Sequence, residues 1–425
     1  MIINFSVQNF GCIKDKVTLS FEATKSEDLE DYYIIEPKKG LRLLKLGLIY
    51  GPNASGKTTI LQALDFLRNI VLNPLAKKTD SFDFQPFLFD ENTPNENTSF
   101  SLEFIQKQVK YLYEVELNQK AIIGEKLYFY KPNKALVYKR ETETEQQLST
   151  IQFGSKIRLS GNYQVALEGN TLWNNTVLGG FLKTNFESLE LQEVTNWFDS
   201  KLETLIDTDS GRLLAYILEK IENKEINKDS LIGFLKRADF NIRDFKVVNN
   251  PIIRLPKIHK GNLIAKMLAK DISFYHVDEH NKNVYRLDYF SESKGTQRYF
   301  QFAGLLELLL TKQFILSIDE IESSLHSDLL EHFLLTFLVN SKDSQLIATT
   351  HHRELLMQRD ILRQDAIWFT EKKSDGSADL FSLTDFDSSV IRRDTSSIYN
   401  AYKAGKLGAI PNLGNYFLET ADGKK

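Results

Sequence analysis

The residues with the clearest chemical potential form one run, Gly51-Pro52-Asn53-Ala54-Ser55-Gly56-Lys57-Thr58-Thr59. This run matches G-x-x-x-x-G-K-[ST], the P-loop pattern, in which backbone N–H groups surround phosphate oxygens. Glycine lets the backbone fold closely around an anion, and the N-terminus of the following helix adds positive potential. The pattern predicts that Lys57 contacts the β- and γ-phosphates of a nucleotide and that the Thr58 hydroxyl binds Mg²⁺.

A second group of residues could complete this chemistry. Asp319 and Glu320 end the apolar run that begins at Phe314. Beside a P-loop, the first acid would bind Mg²⁺ through water, and the second would act as a general base that polarises the attacking water. A strand that ends in Asp-Glu is common by itself, and its pairing with the P-loop makes the prediction strong.

Two further features concern the far side of a bound phosphate. Ser293, Gly295 and Thr296 precede a predicted helix over residues 299–310, and a helix N-terminus of this kind can bind an anion. One nucleotide cannot occupy both ends of one chain's sheet, so this surface should serve the γ-phosphate held by another subunit. His351 follows a predicted strand over residues 345–348, where it could sense the γ-phosphate.

Gln85 lies in the run Phe84-Gln85-Pro86-Phe87. It is our candidate for the glutamine that senses Mg²⁺ and couples the nucleotide to the rest of the protein. An ordinary loop glutamine is the alternative interpretation of this residue.

The elements that must position these residues follow from hydrophobic periodicity. The apolar run 44–50 predicts a buried strand before the P-loop, and residues 60–67 predict an amphipathic helix after it. Alternation of apolar and polar residues between 99 and 139 predicts a β-meander. We therefore expect three parts: an N-terminal ATPase lobe (1–140), a mainly helical insertion that opens with a charged loop at 141–145 (141–270), and a C-terminal ATPase lobe (271–425).

Composition limits the class of protein. The chain has 425 residues, 53 basic and 57 acidic, and a net charge of −4, which argues against a generally basic nucleic-acid binder. The single cysteine, Cys12, excludes an internal disulfide and fits a reducing compartment. The first ten residues alternate like a strand, and no apolar run approaches the roughly 20 residues of a membrane span. We expect a cytoplasmic protein with no membrane partner.

The order of these motifs resembles the ABC-type ATPases of the SMC-like branch. P-loop, signature helix, Asp-Glu, the D-loop Ser323-Ser324-Leu325-His326 and the switch His351 follow one another as they do there. More narrowly, the chain is similar to standalone AAA/ABC ATPases of prokaryotic anti-phage and abortive-infection systems, relatives of the overcoming-lysogenization-defect family and of the Rlo/AbiL and PARIS ATPases. That similarity rests on residues 4–15, 292–297, 367–372 and 402–412.

The resemblance implies an α/β fold: an ABC/SMC-like P-loop ATPase head with an antiparallel β-subdomain and a helical insertion. It also implies ATP and Mg²⁺ as ligands, ATP hydrolysis, and a homodimer or higher homo-oligomer in which two ATP molecules are sandwiched head to tail. No Toprim-like set of acids follows His352, so the resemblance implies a separately encoded, nuclease-like effector, with this chain as sensor or scaffold.

Two alternatives stay open. A RecF-like DNA-repair or clamp ATPase would close its dimer around DNA, and two small basic clusters, at residues 254–260 and 392–406, could contact nucleic acid. A transporter ATPase is the weaker alternative. Of the transporter signature Leu-Ser-Gly-Gly-Gln, the chain keeps Ser293 and Gly295.

Overall fold

The computed structural model describes residues 1–157, 159–208, 212–238, 240–249, 270–278, 280–386 and 395–410. Strands account for most of the regular structure at the N-terminal end of the chain. The strands are β1 (Ile2–Gln8), β2 (Val17–Ser20), β3 (Ile34–Lys38), β4 (Leu41–Leu44), β5 (Leu46–Tyr50), β6 (Thr98–Gln106), β7 (Val109–Leu117), β8 (Ile122–Tyr130), β9 (Lys134–Glu143), β10 (Leu148–Phe153), β11 (Ile206–Asp207), β12 (Ile242–Asn249), β13 (Lys270–Val277), β14 (Val284–Asp288), β15 (Ile315–Asp319), β16 (Gln345–Thr350), β17 (Ile367–Lys372) and β18 (Ala378–Ser382).

Helices follow the P-loop strand and dominate the middle of the chain. They are α1 (Glu30–Tyr33), α2 (Lys57–Leu72), α3 (Gly161–Asn170), α4 (Val177–Phe181), α5 (Leu189–Ser200), α6 (Arg212–Glu222), α7 (Lys228–Arg237), α8 (Lys294–Thr311), α9 (Ser327–Asn340) and α10 (Thr395–Lys403).

The P-loop, the acids Asp319 and Glu320, and His351 all lie at the ends of strands of one six-stranded sheet. Its strand order is β11-β15-β16-β5-β17-β18, and all neighbours are parallel except β17 and β18. Every residue of β5 and β16 is buried, as expected of strands that are covered on both faces. The carboxyl ends of β5, β15 and β16 therefore meet at one edge, where ligands bind in open α/β sheets.

A seven-stranded antiparallel sheet, β10-β9-β8-β7-β6-β1-β2, forms the second layer. Helix α2 contacts β1 of this sheet and β15 and β16 of the six-stranded sheet. Its buried positions include Ile60, Leu64, Leu67 and Val71, which recur at helical spacing and bury one stripe. The helix after the P-loop is thus held between the two sheets. This arrangement is the predicted α/β fold of an ABC/SMC-like P-loop ATPase head with an antiparallel β-subdomain.

The middle of the chain differs from the prediction of a mainly helical insertion. The β-meander continues past residue 140, because Lys134–Glu143 and Leu148–Phe153 form a hairpin where a charged loop over 141–145 was expected. The charged side chains of Glu141 and Glu143 make this stretch resemble a loop, but they lie on the exposed face of a strand. The neighbouring Arg140 points to the other face and is fully buried. The division of the chain into three parts stays a prediction.

This stretch also belongs to the head itself. Strand β11 pairs with β15 and so extends the six-stranded sheet. On α5, Trp197 stacks on Phe104 of the antiparallel sheet at a ring-centroid distance of 4.2 Å. Its helices therefore pack on the two sheets and on α2 instead of forming a separate body.

Some predictions concern residues that the structure does not describe. The basic cluster at 254–260, Arg392 and Arg393 of the second cluster, and the last two residues of the 402–412 stretch lie outside the described residues. Within the described part of the chain, none of the helices has both the length and the apolar character that crossing a bilayer requires.

Candidate nucleotide site

The P-loop joins β5 to α2, and its glycines are required by its surroundings. A Cβ on Gly51 would lie 2.3 Å from the Thr370 hydroxyl and 2.7 Å from the Thr370 carbonyl oxygen. Gly56 has a φ of 102°, and a Cβ there would lie 2.6 Å from Ala378. Side chains at either position would collide with β17 or β18, so the loop can take its path only with glycine.

Lys57 is the buried cation of this loop. Its ammonium donates to the carbonyl oxygens of Gly51 at 2.9 Å and Pro52 at 3.0 Å, which holds it over the curled backbone. Burial lowers the pKa of Lys57 below its ordinary value, while the carboxylates of Asp319, Glu320 and Glu322 act in the opposite direction. Together with the N-terminus of α2, a buried ammonium offers an anion strong, directed hydrogen-bond donors.

Thr58 and Asp319 meet at the carboxyl edge of the sheet. The Thr58 hydroxyl lies 2.9 and 3.1 Å from the two carboxylate oxygens of Asp319. Hydroxyl and carboxylate oxygens are the hard donors that Mg²⁺ prefers, and Mg²⁺ usually completes its shell with phosphate oxygens and water. The pair fits a magnesium site that is shared with a nucleotide. No group of three or more His, Cys, Asp or Glu side chains that could hold a metal ion occurs among the described residues.

Glu320 follows directly in a left-handed backbone conformation, with a φ of 50°. Its N–H donates to the Thr349 hydroxyl at 2.8 Å, and the same hydroxyl donates to Asp319 at 2.5 Å. The Glu320 carboxylate is about half exposed and lies 3.7 Å from Nε2 of His351. Its side chain is therefore free to contact a ligand while its backbone is fixed.

His351 follows β16, and its backbone is also held. Its N–H donates to the Glu322 carboxylate at 2.5 Å. Burial, and then the Lys57 ammonium, lower the pKa of His351 below its ordinary value of 6.5, against the acids Glu322, Glu320 and Asp319. The imidazole is accordingly neutral at pH 7, with one nitrogen that can donate a hydrogen bond and one that can accept it.

The predicted signature residues lie at the start of α8. Ser293 caps this helix, because its hydroxyl accepts the Thr296 N–H at 3.1 Å. Ser293 is exposed, Gly295 is half-buried with room for a Cβ in ordinary contact with the Ser293 hydroxyl at 3.8 Å, and Thr296 is buried. Among the hydrogen bonds and ion pairs of the described residues, none joins 293–296 to the P-loop. Within one chain, these two predicted surfaces are therefore not linked by a polar contact among the described residues.

The backbone of Gln85, and not its side chain, lies near the helix that follows the P-loop. Its carbonyl accepts the Gly11 N–H at 2.7 Å, and a Cβ on Gly11 would lie 2.8 Å from the Thr59 methyl group. The adjacent Cys12 is half-buried, with its sulfur 3.2 Å from the Thr59 hydroxyl. The Gln85 side chain is exposed. Its predicted role in sensing Mg²⁺ stays a prediction.

Four residues at this edge escaped the sequence analysis: Thr208, Glu322, Thr349 and Thr370. Thr349 lies two residues before the switch histidine in the run Thr349-Thr350-His351. The two consecutive hydroxyl side chains before a predicted ligand are the signal that could have identified it. Glu322 lies two residues after Glu320, but only the fold brings it to the His351 backbone. Thr208 follows a two-residue strand that has no detectable pattern.

Comparison with solved structures gives distant similarities to SMC heads. They include the SMC head domain from Thermotoga maritima (15% identity, 90% of this chain and 98% of that chain, TM-score 0.39). A second is the SmcHead bound to the C-winged helix domain of ScpA (15% identity, 90% of this chain and 97% of that chain, TM-score 0.42). A third is the Smc head domain with an extended coiled coil bound to the C-terminal domain of ScpA derived from Pyrococcus furiosus (12% identity, 90% of this chain and 97% of that chain, TM-score 0.43). The search for similar curated proteins found no match.

A family model covers the part of the chain that contains every catalytic and metal-binding candidate. It matches residues 48–357, from the P-loop strand to just beyond His351, and is described as "AAA domain, putative AbiEii toxin, Type IV TA system". The matched region is well over half of the chain. The protein therefore belongs to this family of AAA-type ATPase domains.

Proposed function

We propose that this protein hydrolyses ATP and that two copies close around two ATP molecules. One observation carries the proposal: Thr58, Asp319, Glu320 and His351 converge at the sheet edge beside Lys57, although they come from distant parts of the chain. This is the set of groups that phosphoryl transfer to water requires, namely a phosphate-binding cation, a metal site and a base.

In this proposal each residue has a separate task. Lys57 gives up its hydrogen bonds to the Gly51 and Pro52 carbonyl oxygens and contacts the β- and γ-phosphates instead. The N–H groups of the loop bind the remaining phosphate oxygens. Thr58 and Asp319 would hold Mg²⁺, and the ion would supply positive charge beside the phosphate oxygens. Glu320 orients a water molecule in line with the γ-phosphate and accepts its proton.

His351 lies where it can sense whether the γ-phosphate is present. Its Nε2 lies 3.7 Å from Glu320, so the imidazole and the carboxylate can share one water molecule. A neutral imidazole can donate to a phosphate oxygen when the γ-phosphate is present. Its departure removes that contact, so the end of β16 can respond to hydrolysis.

The exposed start of α8 supports a head-to-tail dimer. Ser293 presents an exposed hydroxyl and Gly295 a half-buried backbone, and none of the hydrogen bonds and ion pairs of the described residues joins them to the P-loop of their own chain. A second copy would supply its own nucleotide to this surface, with Thr296 supporting the Ser293 hydroxyl. Such an interface exists only while ATP bridges it, and a difference of a few kcal/mol is enough to reverse its population.

We propose further that the dimer is a sensor or scaffold for a separately encoded, nuclease-like effector in anti-phage defence. The motif order and the family description, which names a toxin of a toxin–antitoxin system, support this role. In the alternative role, the same dimer would clamp DNA directly. The net charge of −4 gives that alternative no general electrostatic support.

Two measurements test this function. Purified protein should release phosphate from ATP, and Asp319→Asn should stop it, whereas Asp343→Asn, at an exposed carboxylate far from the P-loop in sequence, should not. Purification from the native operon should bring down a second protein. A solitary ATPase that binds DNA tightly, with an affinity that falls steeply with salt, would instead establish the DNA-clamp function.

A further inference from the structure

We infer that Thr208 positions the catalytic acid Glu320, and that Arg298 connects Thr208 to the start of α8. This inference rests on the proposed ATP hydrolysis. It assigns a role to a segment outside every recognised motif, and it gives the two ATP sites of the proposed dimer a physical connection within each chain.

Thr208 is buried beside the end of β15. Its hydroxyl lies 3.1 Å from the carbonyl oxygen of Asp319 and 3.3 Å from that of Glu320. The register of the sheet explains this position, because Asp207 of β11 stands opposite Asp319. Thr208, the residue after β11, therefore lies beside the backbone of both acids, and its hydroxyl can donate to either carbonyl oxygen.

Glu320 needs such support because of its backbone. A φ of 50° is unfavourable for a residue with a side chain, and such conformations persist only where the surroundings hold them. The Thr349 hydroxyl accepts the N–H of Glu320, and the Thr208 hydroxyl approaches its carbonyl. The peptide groups on both sides of the acid are thereby fixed, which sets the direction of its carboxylate.

Arg298 ties this support to α8. The side chain is almost fully buried, and its guanidinium donates to the carbonyl oxygen of Thr208 and to Gln301. Ser293, which caps the same helix, is five positions away in the sequence. A displacement of the first turns of α8 is therefore transmitted through Arg298 and Thr208 to the backbone of Glu320.

In the proposed dimer, this connection joins two different nucleotides. The start of α8 contacts the ATP of the partner, whereas Glu320 acts on the ATP of its own chain. Binding of the partner's γ-phosphate at Ser293 would then adjust Glu320 through the two buried side chains. Hydrolysis at one site becomes dependent on occupation of the other.

Substitutions at Thr208 test the positioning role. Thr208→Val keeps the shape and removes the hydroxyl, so we expect kcat to fall about tenfold while KM for ATP changes less than about twofold. Thr208→Ser restores the donor and should restore most of kcat. Thr195→Val is the matched control, because Thr195 is equally buried and donates only within its own helix. It should leave kcat unchanged.

A double-mutant cycle separates positioning from general stability. In a Glu320→Gln background, Thr208→Val should reduce the residual hydrolysis no further, because the acid through which it acts is already absent. If Thr208→Val does not fold, Arg298→Lys, which keeps the charge but shortens the reach, should show the same dependence on Glu320. A reduction of equal size in both backgrounds would overturn the inference.

The outcomes distinguish this inference from the function on which it rests. A wild-type protein that does not hydrolyse ATP would overturn both. Active wild-type protein together with a fully active Thr208→Val variant would overturn the inference alone. A hydrolysing protein whose response to ATP concentration loses its cooperativity in Arg298→Lys would support the connection between the two sites.

Discussion

The hydroxyl of Thr349 donates to the carboxylate of Asp319 at 2.5 Å, and the same oxygen accepts the N–H of Glu320 at 2.8 Å. One buried side chain on β16 therefore orients the two acids at the end of β15. Because parallel strands place their carboxyl ends side by side, this hydroxyl needs no loop to reach its partners.

Replacement of Thr349 by valine should impair hydrolysis more than binding. The change leaves the Glu320 N–H without its acceptor, and an unsatisfied buried group costs about 1–3 kcal/mol. If half of that cost appears in the transition state, kcat falls by a factor of roughly two to twelve. Phosphate-release kinetics would measure it. Thr349→Ser, which keeps the hydroxyl, should retain activity, and an inactive serine variant would contradict this explanation.

Lys57→Ala should abolish measurable ATP binding. The ammonium would make two charge-assisted contacts with phosphate, each worth about 1.5–3 kcal/mol, so affinity should fall roughly a hundredfold or more. Calorimetric titration with ATP checks this. The control is Lys45→Met, because Lys45 is equally buried but donates to the carbonyls of Leu338 and Ser341 away from the site. It should lower stability and leave ATP affinity intact. Normal affinity in Lys57→Ala would refute the site assignment.

Glu320→Gln should trap an ATP-bound dimer or a larger assembly. The amide keeps the shape of the acid but cannot accept the proton of the attacking water, so ATP persists at the interface. Light scattering after size exclusion, with and without ATP, gives the mass. Glu354→Gln is the matched control, since Glu354 forms the same kind of pair with the neighbouring His352 at 3.5 Å. A mass that ATP does not change in Glu320→Gln would refute the sandwich.

His351 should make stability dependent on pH. Its pKa in the folded protein is lower than the ordinary value of 6.5, so between these two values the unfolded chain binds more protons. The contribution of the neutral imidazole is complete above about pH 6.5 and is lost as the pH falls through the lower, folded value. Urea unfolding across this range should show wild type losing stability relative to His351→Gln. Stability curves for His351→Gln that run parallel to those of the wild type would contradict the prediction.

Glu125 should be essential for the attachment of the middle segment to the antiparallel sheet. Its buried carboxylate accepts the hydroxyls of Tyr113 and Tyr138 and the N–H of Val177, at the start of α4. Burial raises the pKa of Glu125, while Arg140 and these donors act in the opposite direction.

Glu125→Leu removes all three acceptor contacts and leaves Arg140 with its charge uncompensated, which should destabilise the fold by about 3–5 kcal/mol. Glu125→Gln, which keeps one acceptor oxygen, should cost less. Denaturant unfolding measures both. Glu116→Leu, on the exposed face of β7, should change stability by less than about 0.5 kcal/mol, and a similar loss in this control would contradict the prediction.

The sequence by itself determined the chemistry of the P-loop and its local elements. Gly51 and Gly56, Lys57 and Thr58 have their positions set by spacing along one strand, one turn and one helix, and Asp319 and Glu320 follow the end of one apolar strand. Such features depend on neighbours in the chain, so hydrophobic periodicity and a local motif are enough to predict them.

The tertiary structure decided which hydroxyls and acids support these residues. Thr349 meets Asp319 because β15 and β16 are adjacent and in register, and Glu322 meets the backbone of His351 across two strand ends. Thr208 reaches the same acids from a two-residue strand that carries no pattern of its own. Contacts between residues so far apart in sequence follow from sheet order and register, and a single sequence read locally contains neither.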